Sequence, residues 1–254
     1  YKMGHIPQYL LTHPEPEARL AYVQGLIAAD DHPITPSQSK ADNFEFLRFK
    51  YRLLSQQDDT KQIRQYLVSK ITRGEKDSVD VVMAQYGLSQ LDREENNYQS
   101  SLERLEKVIA RFPGEKILNI DKGVILTEAG ALSSAINILE KEHKKDPLDN
   151  YAAFSLAEAY LKKEDLKRAE QLFEQVSLSL EEYSKVYYEL GRIASVRGQK
   201  GKVLFYLAKY NLYEGKIKLA QQSFKAAEKA KDLDPKFAKT IPKYQEIIKG
   251  LLKK

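Results

Sequence analysis

The sequence predicts an all-α solenoid of stacked antiparallel helix hairpins. Three observations lead there. Four windows beginning at Val82, Lys116, Asn150 and Ser184 resemble one another at a spacing of 34 residues. Apolar positions recur at helical spacing on both sides of short polar turns. The 254 residues include no cysteine and no apolar run approaching the roughly 20 residues of a membrane span. Disulfides and thiolate metal sites are thereby excluded. Charged residues make up 30% of the chain and the mean hydropathy is negative.

Each column of the repeat has a physical reason. The eighth position reads Ser89, Gly123, Ala157, Gly191, and the twentieth reads Ser101, Ala135, Ala169, Val203. Small residues there let the two helices of a hairpin approach closely. The twenty-fourth position reads Leu105, Leu139, Phe173, Leu207, large apolar groups expected to fill the groove between neighbouring hairpins. Pro113 and Pro147 occupy the thirty-second position, where a missing N–H ends the second helix; Glu181 breaks that pattern. The best single unit is YAAFSLAEAYLKKEDLKRAEQLFEQV, residues 151–176. With these columns the chain resembles the tetratricopeptide repeat family.

The elements follow in order. Residues 1–36 form a leader and linker outside the repeats, ending in the turn-rich His32-Pro33-Ile34-Thr35-Pro36. Residues 37–81 carry two amphipathic segments, 42–55 and 60–72, expected to be a divergent repeat or an N-terminal cap. Residues 82–235 hold the repeats. Within them the register shifts: a fifth match starts at Gly201, 17 residues after Ser184, and places Leu207, Ala208, Ala220, Phe224 and Ala227 in the expected columns. The expectation is one helix, residues 201–213, shared by two hairpins. Residues 236–254 form a lysine-rich cap interrupted near Pro242, whose polar outer face suits the end of a stack.

The net charge of +5 is uneven. Residues 198–254 carry fourteen lysines, no arginine and five acids, a net of +9, which leaves the remainder at −4. Without arginine there is no bidentate phosphate or base contact, so nucleic acid is not the expected partner. A solvated lysine face is.

The leader carries a second resemblance. Residues 5–20 read HIPQYLLTHPEPEARL. Leu10, Leu11, Thr12, His13, Pro14, Glu17, Arg19 and Leu20 resemble the segment closing the protease domain of the BepA/YfgC-like periplasmic zinc metalloproteases, which a tetratricopeptide array follows. This resemblance implies the C-terminal region of such an enzyme. It implies a periplasmic location, outer-membrane proteins or their assembly machinery as partners, and zinc in the full-length protein with His13 near it. The alternative is a stand-alone scaffold, cytoplasmic, with no protease attached. Because the chain begins at Tyr1 and not Met, it is expected to be a trimmed or mature piece.

Catalysis by this chain itself is not expected. The metalloprotease chemistry needs His-Glu-x-x-His, two ligands one helical turn apart with Glu as base. The four histidines, His5, His13, His32 and His143, include no such pair. No metal, cofactor or catalytic residue is therefore expected here. Adjacent acids such as Glu94/Glu95 and Glu181/Glu182 point about 100° apart on a helix and do not converge on a substrate.

The candidate site is instead the concave face, expected at positions two, five, nine and twelve of each first helix. The candidate groove residues are Tyr86, Gln90, Ile120, Val124, Tyr151, Phe154, Glu158, Tyr188 and Arg192. Position five, Tyr86, Ile120, Phe154 and Tyr188, is a row of large side chains suited to a peptide groove. The competing expectation is that some of these are core between hairpins. A protein or peptide partner follows from the first expectation. Lys and Asn, which would clamp an acidic C-terminal peptide at positions five and nine, are absent.

Overall fold

The computed structural model describes residues 43–57 and 59–253, with Gly25 upstream. The chain divides into two compact units, Tyr1–Asn43 and Phe44–Lys254. The leader, with Leu10, Leu11, His5, His13 and His32, lies outside the described residues.

The second unit is all-helical among its described residues. Its helices are α1 Phe44–Ser55, α2 Thr60–Arg73, α3 Val79–Glu94, α4 Tyr98–Arg111, α5 Lys116–Glu128, α6 Leu132–Lys145 and α7 Asn150–Lys162. They continue as α8 Leu166–Ser179, α9 Ser184–Val196, α10 Lys200–Tyr213, α11 Ile217–Glu228, α12 Pro235–Ala238 and α13 Ile241–Leu251. The first helices α5, α7 and α9 begin 34 residues apart, as do the second helices α4, α6, α8 and α10.

The turns inside the hairpins keep the same step. Asn96, Gly130, Glu164 and Gly198 all take positive φ, between 61° and 80°. Each is followed by an N–H that reaches back five residues to a helix carbonyl: Asn97 to Asp92, Ala131 to Leu126, Asp165 to Tyr160, Gln199 to Ala194. This bond closes the end of the first helix and turns the chain into the second. The next such residue is Gly215, 17 positions after Gly198, with Lys216 bonding back to Asn211. The backbone itself therefore records the change of register. Asp149 and Asp165 cap the starts of α7 and α8 by accepting from backbone N–H groups.

Packing follows the columns through the first three hairpins. Ser101, Ala135, Ala169, Leu105, Leu139 and Phe173 are all fully buried. Gly123 shows how tight the approach is, since a Cβ there would lie 2.5 Å from Leu139 Cγ. Where serine replaces glycine or alanine, its hydroxyl must be satisfied. Ser89 and Ser101 do this reciprocally, each donating to the other's carbonyl at 2.8 Å.

The fourth hairpin departs from the columns. α10 packs on α9 before it and on α11 after it, so one helix serves two hairpins. Its buried residues include Phe205, Tyr206, Ala208 and Leu212, and the facing α11 buries Ala220, Phe224 and Ala227. Those positions obey the shifted window. Leu207, expected to fill the groove, is instead 42% exposed. α10 faces α11 with its neighbouring residues and leaves Leu207 outside.

The two ends differ. α1 and α2 both pack on α3, with α1 burying Phe44, Leu47, Tyr51 and Ser55 along one face. Gly87 makes room for them: a Cβ would meet Leu67 at 2.8 Å and Tyr51 at 3.1 Å. At the other end α12 and α13 are separate, with Pro242 in the first turn of α13. α13 buries Ile241, Tyr244 and Ile248 against the stack and turns Lys243 and Lys249 to solvent. Among the described residues no helix is long and apolar enough to cross a membrane.

Candidate peptide-binding groove

The first helices α5, α7 and α9 line two adjoining cavities. One, of about 210 Å³, is bounded by residues that include Val124, Thr127, Glu158, Lys162, Glu189 and Arg192. The other, of about 290 Å³, includes Arg52, Arg93, Tyr151, Phe154, Tyr183 and Lys185. Val124, Glu128, Ser155 and Glu158 belong to both. Five of the expected groove residues, Val124, Tyr151, Phe154, Glu158 and Arg192, therefore come together.

The others do not. Tyr86, Ile120 and Gln90 are at most 1% exposed and lie in the interior. Phe154, at 6%, shows only its edge to the cavity. The position-five row expected to be open is thus core at Tyr86, Ile120 and Phe154. The reason is stacking. Phe154 packs against Phe173 at 5.2 Å and Tyr183 at 5.3 Å, with Lys185 Nζ 5.0 Å from its ring centre. The start of the next hairpin thus closes over it. After α9 the 34-residue step is not repeated, and Tyr188, met by Tyr210 of the shared helix α10, remains 52% exposed.

Charges of both signs line the groove, and most are paired. Arg93 donates to both carboxylate oxygens of Glu128, at 2.7 and 3.0 Å. Lys185 meets Glu158 at 3.0 Å, and Arg192 meets Glu189 at 2.7 Å. Burial pushes the Glu158 carboxyl above its ordinary value against the pull of Lys185, and nearby Glu189 and Glu128 push the same way. Lys162 differs: it donates to the Thr127 carbonyl at 3.2 Å and has no acid partner among the described residues.

Beneath the groove lies a polar centre that the sequence did not announce. Asp121, 2% exposed, accepts from Arg48 Nε and Nη2 at 3.0 and 2.8 Å and from Arg52 at 2.9 Å. It also accepts from the hydroxyls of Tyr86 at 3.0 Å and Tyr151 at 2.7 Å. Five donors from α1, α3 and α7 thus converge on one acid of α5. Burial and the negative charge of Asp121 outweigh the opposing pull of Arg48 and Arg52, and the Tyr86 hydroxyl is held well above the usual range. Burial alone would disfavour the Arg52 cation, but Tyr151 and Asp121 more than offset it. The one available signal was an acid at position six of a helix otherwise apolar on that side. Its arginine partners are 69 and 73 residues away, beyond any local pattern.

His143, the only histidine among the described residues, sits in the last turn of α6. Among those residues no group of three His, Cys, Asp or Glu could hold a metal ion.

Two family models of tetratricopeptide repeats match the chain, over residues 86–145 and 126–190. No curated protein sequence matches it. Among solved structures, PilW, described as a widely conserved type IV pilus biogenesis factor, is 15% identical with a TM-score of 0.55. The match covers 77% of this chain and 90% of PilW. MamA from Desulfovibrio magneticus RS-1 is 17% identical with a TM-score of 0.48, over 73% of this chain and 97% of its own. YrrB, described as a tetratricopeptide protein with an unusual peptide-binding site, is 16% identical with a TM-score of 0.46. That match covers 80% of this chain and 97% of YrrB. At such identities the likeness is one of fold alone. The repeats matched over residues 86–190 and the all-helical stack give this chain the fold of a tetratricopeptide-repeat solenoid, and such repeats imply a protein–protein interaction module.

Proposed function

We propose that the chain is a scaffold that takes a peptide segment of a partner protein along the groove formed by α5, α7 and α9. The observation that carries this is the pair of joined cavities whose shared wall is Val124, Glu128, Ser155 and Glu158. An apolar floor with charged groups along its walls gives a peptide both area and orientation. The test uses the double variant Lys162→Glu/Lys185→Glu, whose side chains project from the groove, and Lys167→Glu on an exposed position of α8 as control. Proteins retained by the immobilised chain are identified by mass spectrometry. Partners held by the parent and the control but lost by the double variant support the groove. Equal retention by all three overturns it.

A narrower version rests on the leader. Its resemblance around Leu10–His13 to the BepA/YfgC-like enzymes supports a periplasmic module. Such a module would present outer-membrane proteins, or their assembly machinery, to a zinc protease domain. The residues in hand do not fit the zinc itself: no two of the four histidines have the ligand spacing, so no step through the metal follows for this chain. The stand-alone scaffold is the competing version. The sequence encoded immediately before Tyr1 decides between them. A His-Glu-x-x-His motif there supports the protease module, and its absence overturns it.

A further inference from the structure

The fourth hairpin leaves open a space that the second hairpin fills. In the second hairpin Leu139 fills the space over Gly123 so closely that a Cβ would meet it at 2.5 Å. Gly191 and Leu207 hold the matching positions on α9 and α10. Yet a Cβ on Gly191 would meet only Tyr206 Cβ, at 3.6 Å, an ordinary contact. The change of register is the cause. α10 buries Phe205, Tyr206, Ala208 and Leu212, and Leu207 is left beside the glycine rather than over it.

The result is a notch of about 190 Å³ whose lining includes Tyr188, Gly191, Ser195, Val203, Leu207 and Tyr210. The Tyr188 and Tyr210 rings stand 5.7 Å apart at 50°, forming one wall. Arg192 borders both this notch and the first groove cavity, so the two lie along one path. Tyr188 and Leu207 are 52% and 42% exposed. Covering them removes apolar surface from water and is favourable.

The charges around the notch select the occupant. Arg192 and Lys185 are balanced by Glu189 and Glu158. Lys162 in the adjoining cavity has no acid partner among the described residues. Nor does Lys216, whose Nζ lies 5.3 Å from the centre of the Tyr210 ring. The C-terminal segment to which α10 belongs, residues 198–254, carries a net +9. These free cations favour an acidic occupant.

We propose that this notch is an anchor site for one bulky apolar side chain of a partner peptide, flanked in that peptide by Asp or Glu. The proposal rests on the reading of the concave face as a peptide groove and adds where the peptide is fixed and what chemistry it has. The anchor fills the place that Leu139 fills within the second hairpin. The lysines meet the flanking acids, and the contact weakens as salt rises.

The probe is a randomised peptide display library selected on the full chain, followed by synthetic peptides. The key variant is Gly191→Met. The added side chain occupies the notch from within, and exchanging a helical glycine favours the helix. A cooperative melting curve with a midpoint no lower than the parent's confirms the fold. Enriched peptides should carry Leu, Ile or Phe beside Asp or Glu. They should bind Gly191→Met on the order of ten-fold more weakly, and lose as much when their own apolar residue becomes Ala. Enriched peptides that bind Gly191→Met as well as the parent, yet fail on Lys162→Glu/Lys185→Glu, overturn the notch and leave the groove standing. No enrichment at all overturns both. Concentration-dependent self-association abolished by Gly191→Met overturns the peptide in favour of a second copy.

Discussion

Phe154 and Tyr188 occupy the same position of consecutive repeats and meet opposite fates. Phe154 is closed over by Phe173, Tyr183 and Lys185, while Tyr188 stands half in solvent. Nothing about the two side chains or their own helices decides this. After α7 the chain continues at the full 34-residue step, and the residues that lead into and open α9, Tyr183 and Lys185, close over Phe154 together with Phe173 of α8. After α9 the step is 17, α10 takes the double role, and no such helix arrives. A position in a repeat thus becomes core or surface according to which helix comes next along the chain.

The same two regions differ in how they bury charge. On the N-terminal side an acid, Asp121, is enclosed by two arginines and two tyrosine hydroxyls. On the C-terminal side a cation, Lys209, is 8% exposed among tyrosine rings. Its Nζ lies 4.1 Å from the ring centre of Tyr187, 4.9 Å from Tyr244 and 5.8 Å from Tyr213. The acid finds full hydrogen-bonded compensation. The lysine has ring faces and the more distant Glu181, and burial lowers its pKa to about 8, with Lys243 adding to the effect.

The largest expected effect tests the first contrast. Phe154→Ala should destabilise the unit by about 3–5 kcal/mol, the cost of emptying a packed aromatic site. Leu156→Ala, also in the core, should cost about 2–5 kcal/mol. Tyr188→Ala should cost less than about 1 kcal/mol, as a surface change does. Urea unfolding of the three variants gives the answer. Comparable losses for Phe154→Ala and Tyr188→Ala would erase the distinction between the repeats.

The second effect tests the buried lysine. Folded Lys209 releases its proton near pH 8, while the unfolded side chain holds it to its ordinary 10.5. Between these values the unfolded state binds more protons, so folding stability should rise with pH. The gain attributable to this group is at most about 3 kcal/mol. Tyr187, Tyr213 and Tyr244 are all pushed above their ordinary value by burial, so their opposite contribution enters only above pH 10. Glu181, held below its ordinary value by the Tyr244 hydroxyl, and the exposed Lys243 complete the surroundings. Lys209→Met should remove the rise between pH 8 and 10. Parallel stability curves for parent and variant would show that Lys209 does not titrate there.

The smallest effect concerns a turn. Glu164 takes φ 64° where the second and fourth hairpins have Gly130 and Gly198. A side chain in the left-handed region costs roughly 1–2 kcal/mol, part of which glycine returns as unfolded-chain entropy. Glu164→Gly should therefore stabilise the third hairpin by about 0.5–1 kcal/mol. A lower melting temperature would mean that Glu164 makes a compensating contact.

The turns show where legibility ends. Gly130 and Gly198 mark their sites in the sequence, but Asn96 and Glu164 reach the same backbone state only because the flanking helices require it. In the groove, Val124, Glu158 and Arg192 share position nine and meet as the spacing predicts. Gln90 shares that position too and is buried, its side-chain oxygen accepting from Arg93 of the same helix.

The sequence by itself determined the helices, their pairing and the step between them. Those properties are local: small residues every 34 positions, apolar faces at helical spacing, and a 17-residue slip that can be read off Gly201 to Ala227. Only the tertiary structure decided which side of each helix would be covered. Two registers compete for α10, and a sequence lists both without ranking them. Packing ranks them: Ala208 and Phe205 go inward, and Leu207 and Gly191 are left to form the notch. Asp121 likewise reads as one acid on one helix until α1 delivers Arg48 and Arg52 from about 70 residues away, because burial and pairing are properties of the neighbours that arrive and not of the residue itself.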